Sequence, residues 1–339
     1  MRRLAAGGLY ILALAMPAGA QAQSVADFYK GKTVTVIVGY TAGGGYDLYA
    51  RALSRHMGKH LPGNPNFIVQ NVTGAGSVNA ANTLYNVSPK DGTAFGTFGR
   101  GLAMEPLIGT ARVQYDATKF TWLGSGTNEV SVCATWHASP VKTWADAQKM
   151  TFTVGGEGAG SDPDTFGALV RNAFGVKLRL VTGYHGTSDI ILAIERGEVD
   201  GRCGWSWSSV KSTRPTWIPE KKLNYLVHMS EVKAPELQHI PLISEFAKTD
   251  RQRQILRLVL SRQTMGRPFA APPGVPADRA QALRRAFDAT LKDPAFLAEA
   301  AKLKLDVNPV TGEAVDKLIA ELYATPKDVV EETRKAIKP

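Results

Sequence analysis

Three consecutive glycines, Gly43, Gly44 and Gly45, stand between Thr41-Ala42 and Tyr46-Asp47. Glycines let bare backbone N–H groups come close to a ligand, and a helix opening just after them carries a partial positive charge. The chemistry on offer is anion capture by main chain. A second such turn runs Gly155-Gly156-Glu157-Gly158-Ala159-Gly160-Ser161-Asp162-Pro163. Shorter ones fall at 73–77, which holds Gly76 and Ser77, at Gly99-Arg100-Gly101, and at 182–186, which holds Tyr184 and Gly186. Arg100 sits between glycines and Arg202 beside Cys203. A guanidinium can grip a carboxylate through two parallel bonds, so both are candidate anion ligands, and Arg100 is the one selected.

Several chemistries are excluded. The segment Gly155–Ser161 lacks the lysine of a phosphate loop, and Ala42-Gly43-Gly44-Gly45-Tyr46-Asp47 does not fit GxGxxG, so ATP and NAD are not expected and no cofactor is assigned. His56 and His60 lack the glutamate of a zinc protease between them, and neither cysteine has a metal-ligand neighbour, so no metal is assigned either. Gly204-Trp205-Ser206-Trp207-Ser208 stops one residue short of a nucleophile elbow. No catalytic residue is therefore assigned; a hydrolase using Ser206 or Ser161 with His185 stands as the weaker alternative. The net charge of +10 is scattered along the chain without an arginine-rich arm, which argues against a nucleic-acid partner. The two cysteines, Cys133 and Cys203, lie in β-like runs and leave open whether they pair.

These turns need elements to hold them. Residues 1–22 read as an export signal, with Arg2 and Arg3, an apolar stretch from Leu4 to Met16, and small residues before Gln23. The exported part is expected to be soluble. Beyond it, strand and helix signals alternate, which argues for α/β architecture. The run 33–38 reads as a strand feeding the first glycine turn, followed by a helix with Tyr49, Leu53 and Met57 every four residues. The pattern restarts near residue 130 and the second long turn opens a helix carrying Phe166, Leu169, Val170 and Ala173. The tail from Ala277 is helical and too poor in strands to form a lobe alone, so it is expected to return to the first lobe. The expected organisation is lobe 1 from 23–128 plus 257–339 and lobe 2 from 129–256, with two hinge crossovers. Turns leaving the carboxyl ends of strands line one crevice, which would open between the lobes.

Taken together, these residues resemble one family: the periplasmic solute-binding receptors of tripartite tricarboxylate transporters, the Bordetella uptake gene (Bug, TctC-like) proteins. The strongest match is Ala42-Gly43-Gly44-Gly45-Tyr46-Asp47 followed by Ala50-Arg51. Further agreement comes from Asn71-Val72-Thr73-Gly74-Ala75-Gly76, Pro89-Lys90-Asp91-Gly92-Thr93, Gly183-Tyr184-His185-Gly186-Thr187, Gly197-Glu198-Val199-Asp200 and Ala271-Pro272-Pro273-Gly274-Val275-Pro276. The resemblance implies a type II, Venus-flytrap periplasmic binding protein that is a monomer, holds a small carboxylate between its lobes and delivers it to permease subunits. A sensor feeding a signalling partner is the alternative with the same fold. One ligand carboxylate would lie at Thr41, Ala42, Gly43, Gly44, Gly45 and Tyr46. Its far end would meet Gly158, Ala159, Gly160, Ser161 and Asp162, then Tyr184 and Gly186, then Trp205 and Ser206. Tyr46 replaces a small residue of the family, and the tryptophans Trp205 and Trp207 admit an aromatic acid as readily as a citrate-like one.

Overall fold

The computed structural model describes residues 23–109 and 111–338; the export-signal reading lies outside the described residues. Two sheets organise the chain. The first strands are β1 (Thr33–Val38), β2 (Asn66–Asn71), β3 (Ala94–Thr97) and β4 (Thr121–Ser125), with helices α1 (Gly45–Met57) and α2 (Val78–Asn86) between them. The chain then crosses over to β5 (Ser131–Trp136), β6 (Phe152–Gly155), α3 (Asp162–Phe174), β7 (Leu178–Val181), α4 (Thr187–Glu195), β8 (Gly201–Ser206), α5 (Trp207–Thr213), β9 (Leu223–His228) and α6 (Asp250–Leu260). It returns through β10 (Pro268–Ala271), α7 (Ala277–Thr290), α8 (Pro294–Lys302), β11 (Val310–Thr311), α9 (Gly312–Tyr323) and α10 (Lys327–Ala336).

Strand order is β11-β4-β10-β3-β1-β2 in the first sheet and β7-β6-β8-β5-β9 in the second. Parallel pairs lie at β1–β2, β1–β3, β6–β7 and β6–β8, and antiparallel pairs elsewhere, so both sheets are mixed. The β1 run is apolar because helices cover it: Val34, Val36 and Val38 are buried with Tyr49, Leu53 and Met57 of α1 and Leu283 and Phe287 of α7. The returning β10 inserts between β3 and β4, so lobe 1 is built from both ends of the chain.

Two helices sit differently from the expected division at 256. Ile255, Leu256, Leu258, Val259 and Leu260 of α6 join Phe166, Leu169 and Val170 of α3 in one core, so the return crossing follows Leu260. Val329, Val330 and Ala336 of the terminal α10 enter that same core, whereas Val315 and Ile319 of α9 pack beside Trp122 and Ala270 of the first sheet. The last helix therefore packs on the core of lobe 2, while its Arg334 donates to the Leu107 carbonyl of lobe 1. Its apolar residues recur every three or four positions, which requires a partner without saying which lobe supplies it. The open question of the cysteines is resolved: Cys133 on β5 and Cys203 on β8 form a disulfide.

Candidate ligand-binding cleft

Both long glycine turns use one device. The third residue of the helix that follows turns its carboxylate back onto the turn. At α1, Asp47 Oδ2 accepts the Gly43 N–H at 2.9 Å and Arg51 Nε at 2.8 Å, while Oδ1 accepts Asn71 Nδ2 at 2.9 Å. At α3, Asp164 Oδ2 accepts the N–H groups of Glu157 at 2.6 Å and Gly158 at 2.9 Å, and the Ser161 hydroxyl at 2.7 Å. The expectation that these amides await an outside anion is thereby corrected at Gly43 and Gly158. A tethered acid meets the same unpaired amides and helix dipole as a ligand would, without losing translational freedom.

Burial pushes the Asp47 carboxyl upward, but the bonds from Arg51, Gly43 and Asn71 outweigh it and hold the group below the usual range. A depressed folded value means that Asp47 contributes stability above about pH 4, the unfolded value, and loses it as pH falls through the folded one. Asp47→Ala is expected to destabilise the protein by about 2 kcal/mol at neutral pH, with the difference shrinking toward acid. Urea denaturation at two pH values checks this; a pH-independent difference would contradict it.

With the turns fixed in this way, the lobes meet across a narrow cavity of about 20 Å³. Lobe 1 contributes Tyr40, Tyr46 and Gly99, and lobe 2 contributes Glu157, Asp162, Thr187, Arg202, Trp205 and Ser206. Around it the turns touch directly. The Gly76 N–H donates to Glu157 O at 2.8 Å, and Ser188 Oγ donates to Ala42 O at 3.3 Å. At Gly76 (φ 61°) a Cβ would stand 2.7 Å from Gly158 O and 2.8 Å from Ala159 O, so a side chain there would force the lobes apart. Gly45 packs so tightly on Ser209 and Arg267 that a Cβ would overlap them.

Other expected residues are placed as follows. Gly186 stands against Thr41, whose hydroxyl has no hydrogen-bond partner, and the Gly44 N–H bonds back to Thr41 O at 3.4 Å. Ser77 Oγ accepts the Gly99 N–H at 2.8 Å, which holds the exit of β3 near the cleft. Gly160 approaches Leu102 and Glu105 at the far side of the α3 start. Tyr184 lies over Gly155 and does not line the cavity. Trp205 is fully buried, lines the cavity and leaves its Nε1 unpaired, whereas Trp207 turns away and donates to Glu236 at 3.1 Å.

The cavity wall is strongly charged. Arg100 is 1% exposed, pairs with Asp162, and donates to Ser131 Oγ at 2.8 Å, Gly266 O at 3.1 Å and Ser206 Oγ at 3.2 Å. Arg262 reaches the other oxygen of Asp162 at 3.4 Å. Arg202 pairs with Glu157 at 2.8 Å and donates to Thr187 Oγ1 at 3.1 Å. Burial, opposed by Arg202, raises the Glu157 carboxyl above its ordinary value. Tyr46 fills the space beneath, with its ring 4.8 Å from that of Tyr40 and its hydroxyl accepting the Arg100 N–H at 3.1 Å.

Thr187 closes the turn 184–187 that the resemblance assigns to the ligand's far end, whereas Tyr40, Glu157, Arg262 and Arg267 were not among the expected site residues. The second crossover was the available signal for the two arginines, since a segment joining the lobes must pass the cleft floor. The hydrolase alternative finds no catalytic geometry: Ser206 Oγ receives guanidinium N–H groups from Arg100 and Arg267, Ser161 Oγ donates to Asp164, and His185 is exposed. A larger hollow of about 630 Å³ on lobe 1, lined by Trp122, Gln281, Arg284 and Asp316, includes neither glycine turn.

The architecture is that of the two-lobed periplasmic binding proteins. The structure is similar to that of the periplasmic binding protein BugD, with a TM-score of 0.72 and 20% identity, over 91% of this chain and 98% of that one. It is also similar to MatC of Rhodopseudomonas palustris with bound malate, at a TM-score of 0.70 and 21% identity, over 88% and 99% of the two chains. In sequence it is 25% identical over 299 residues to a protein of Agrobacterium vitis described as a UPF0065 protein in the TAR-I ttuE-ttuC' intergenic region, covering 86% of this chain and 80% of that one. No family model matches the sequence. The chain thus shares its fold with the BugD structure, and its sequence likeness is to a UPF0065 protein.

Proposed function

We propose that the chain is an exported, non-enzymatic receptor that captures a small carboxylate between its lobes and delivers it to the permease subunits of a tripartite tricarboxylate-type transporter. The observation that carries this reading is the convergence of turns from both lobes on one cavity lined by Tyr46, Asp162, Arg202 and Trp205, with Arg100 paired to Asp162 behind its wall. The similar protein MatC, described with malate bound, supports the ligand class. A cavity of about 20 Å³ admits a water-sized group, so an organic acid enters by parting the lobes and is desolvated as they close. In the closed cleft each charged bond strengthens, because water no longer screens it. The ligand's anchors are proposed to be Arg100 and Arg202, with the buried Trp205 Nε1 and Thr41 Oγ1 as further unpaired donors.

Calorimetry of the exported part against mono- and dicarboxylates is expected to give one-to-one binding of at least one of them, without product formation. Turnover, or the absence of binding across the panel, would overturn the proposal.

A further inference from the structure

We infer that Arg100 and Arg262 form a carboxylate seat which Asp162 fills from within the chain, and that a ligand's carboxylate enters the cleft by taking that seat. The inference rests on the reading of the cleft as a carboxylate site, and it names both the anchoring groups and their built-in competitor.

The seat spans the lobes. Arg100 follows β3 of lobe 1, Arg262 follows α6 at the return crossing, and Asp162 opens α3 of lobe 2. One carboxylate takes both guanidinium groups, Arg100 on Oδ2 and Arg262 on Oδ1. Arg100 does not depend on Asp162 for its position, because Ser131, Ser206 and the Gly266 carbonyl brace it; Arg262 bonds Asp162 and lies over the Phe166 ring at 5.6 Å. A guanidinium held as Arg100 is keeps its aim when the carboxylate leaves. A ligand carboxylate presents the same pair of oxygens in the same spacing. While the lobes are closed, the cavity beside Asp162 is too small for a second carboxylate.

Two consequences follow. The Arg100–Asp162 pair crosses the cleft, so it draws the lobes together just as a bridging ligand would. Being tethered, Asp162 also competes at high effective concentration and lowers the apparent affinity for any external acid.

Acetate serves as the probe, because it reproduces the Asp162 head group. Thermal unfolding of Asp162→Ala is expected to shift upward by about 2–4 °C when acetate reaches roughly ten times its dissociation constant. Wild type and Asp162→Ala/Arg100→Met are expected to show no such shift. Acetate stabilising all three alike, or none of them, would overturn the inference. Asp162→Asn keeps the shape without the charge and supplies a second readout by small-angle scattering. Its radius of gyration is expected to exceed that of wild type, and identical values would overturn the inference. The two readings fail separately: acetate rescue with no panel acid bound by wild type leaves the seat standing and removes the receptor, whereas panel binding without rescue does the reverse.

Discussion

Replacing Arg267 with methionine is expected to destabilise the protein by about 3–5 kcal/mol, and removing the charge of Glu129 in the same molecule is expected to recover more than half of that loss. Arg267 is fully buried where β10 returns to lobe 1. Its Nη2 donates to Ser208 Oγ at 2.8 Å and Ser209 Oγ at 2.9 Å and faces Glu129 at 3.1 Å, and Nη1 donates to Ser206 Oγ at 3.2 Å. The guanidinium also lies 4.6 Å from the centre of the Tyr46 ring and 5.3 Å from that of Tyr49. Methionine restores much of the volume and none of the charge. The Glu129 carboxylate keeps the N–H groups of Val130 and Ser208 but loses its counter-ion in a region closed to water. That uncompensated charge, more than the lost bonds, sets the size of the effect. Urea denaturation of Arg267→Met, Glu129→Gln and the double variant separates the two causes. Additive losses in the double variant would show that packing, and not stranded charge, dominates.

The same residues show where a sequence can be read and where it cannot. Val34, Val36 and Val38 ahead of Gly43 to Gly45, with Tyr49, Leu53 and Met57 behind, declare β1, the turn and α1, because each signal is local and all agree. The aspartates at first turns were legible as helix-start acids, and Asp164 serves in that way. What they do to the glycine turns was not legible, because amide directions depend on the turn's final shape. Trp205 and Trp207 stand two apart and would share a face in a continued strand, but α5 begins at Trp207 and turns the second ring toward Glu236. Arg262 and Arg267 gave no local sign of their role. A buried arginine is specified by acids that distant segments bring to it, here Asp162 and Glu129, and no window of the sequence contains both partners. For the same reason the lodging of α10 on lobe 2 is decided by tertiary packing alone.

Exchange of both cysteines for serine is the other large loss expected, about 4 kcal/mol. The bridge joins Cys133 and Cys203 across a separation of 70 residues, which encloses β6, α3, β7 and α4. In the folded protein β5 and β8 are already paired as antiparallel neighbours, so the bond adds little reach there. Its effect lies in the unfolded chain, where it removes the entropy of a long open loop. The loss should therefore fall on lobe 2. Amide exchange in β5, β8 and α3 is expected to accelerate in the double serine variant, while β1, β2 and α1 keep their protection. A reducing agent should lower the stability of wild type toward that of the variant and leave the variant unchanged. Cys203 also stands between Arg202 and Gly204 on the strand that aims Arg202 and Trp205 into the cavity, so a loosened β8 is expected to weaken ligand capture along with stability. Unaltered capture combined with the full stability loss would show that hydrogen bonding along β8 holds Arg202 in place without the covalent tie.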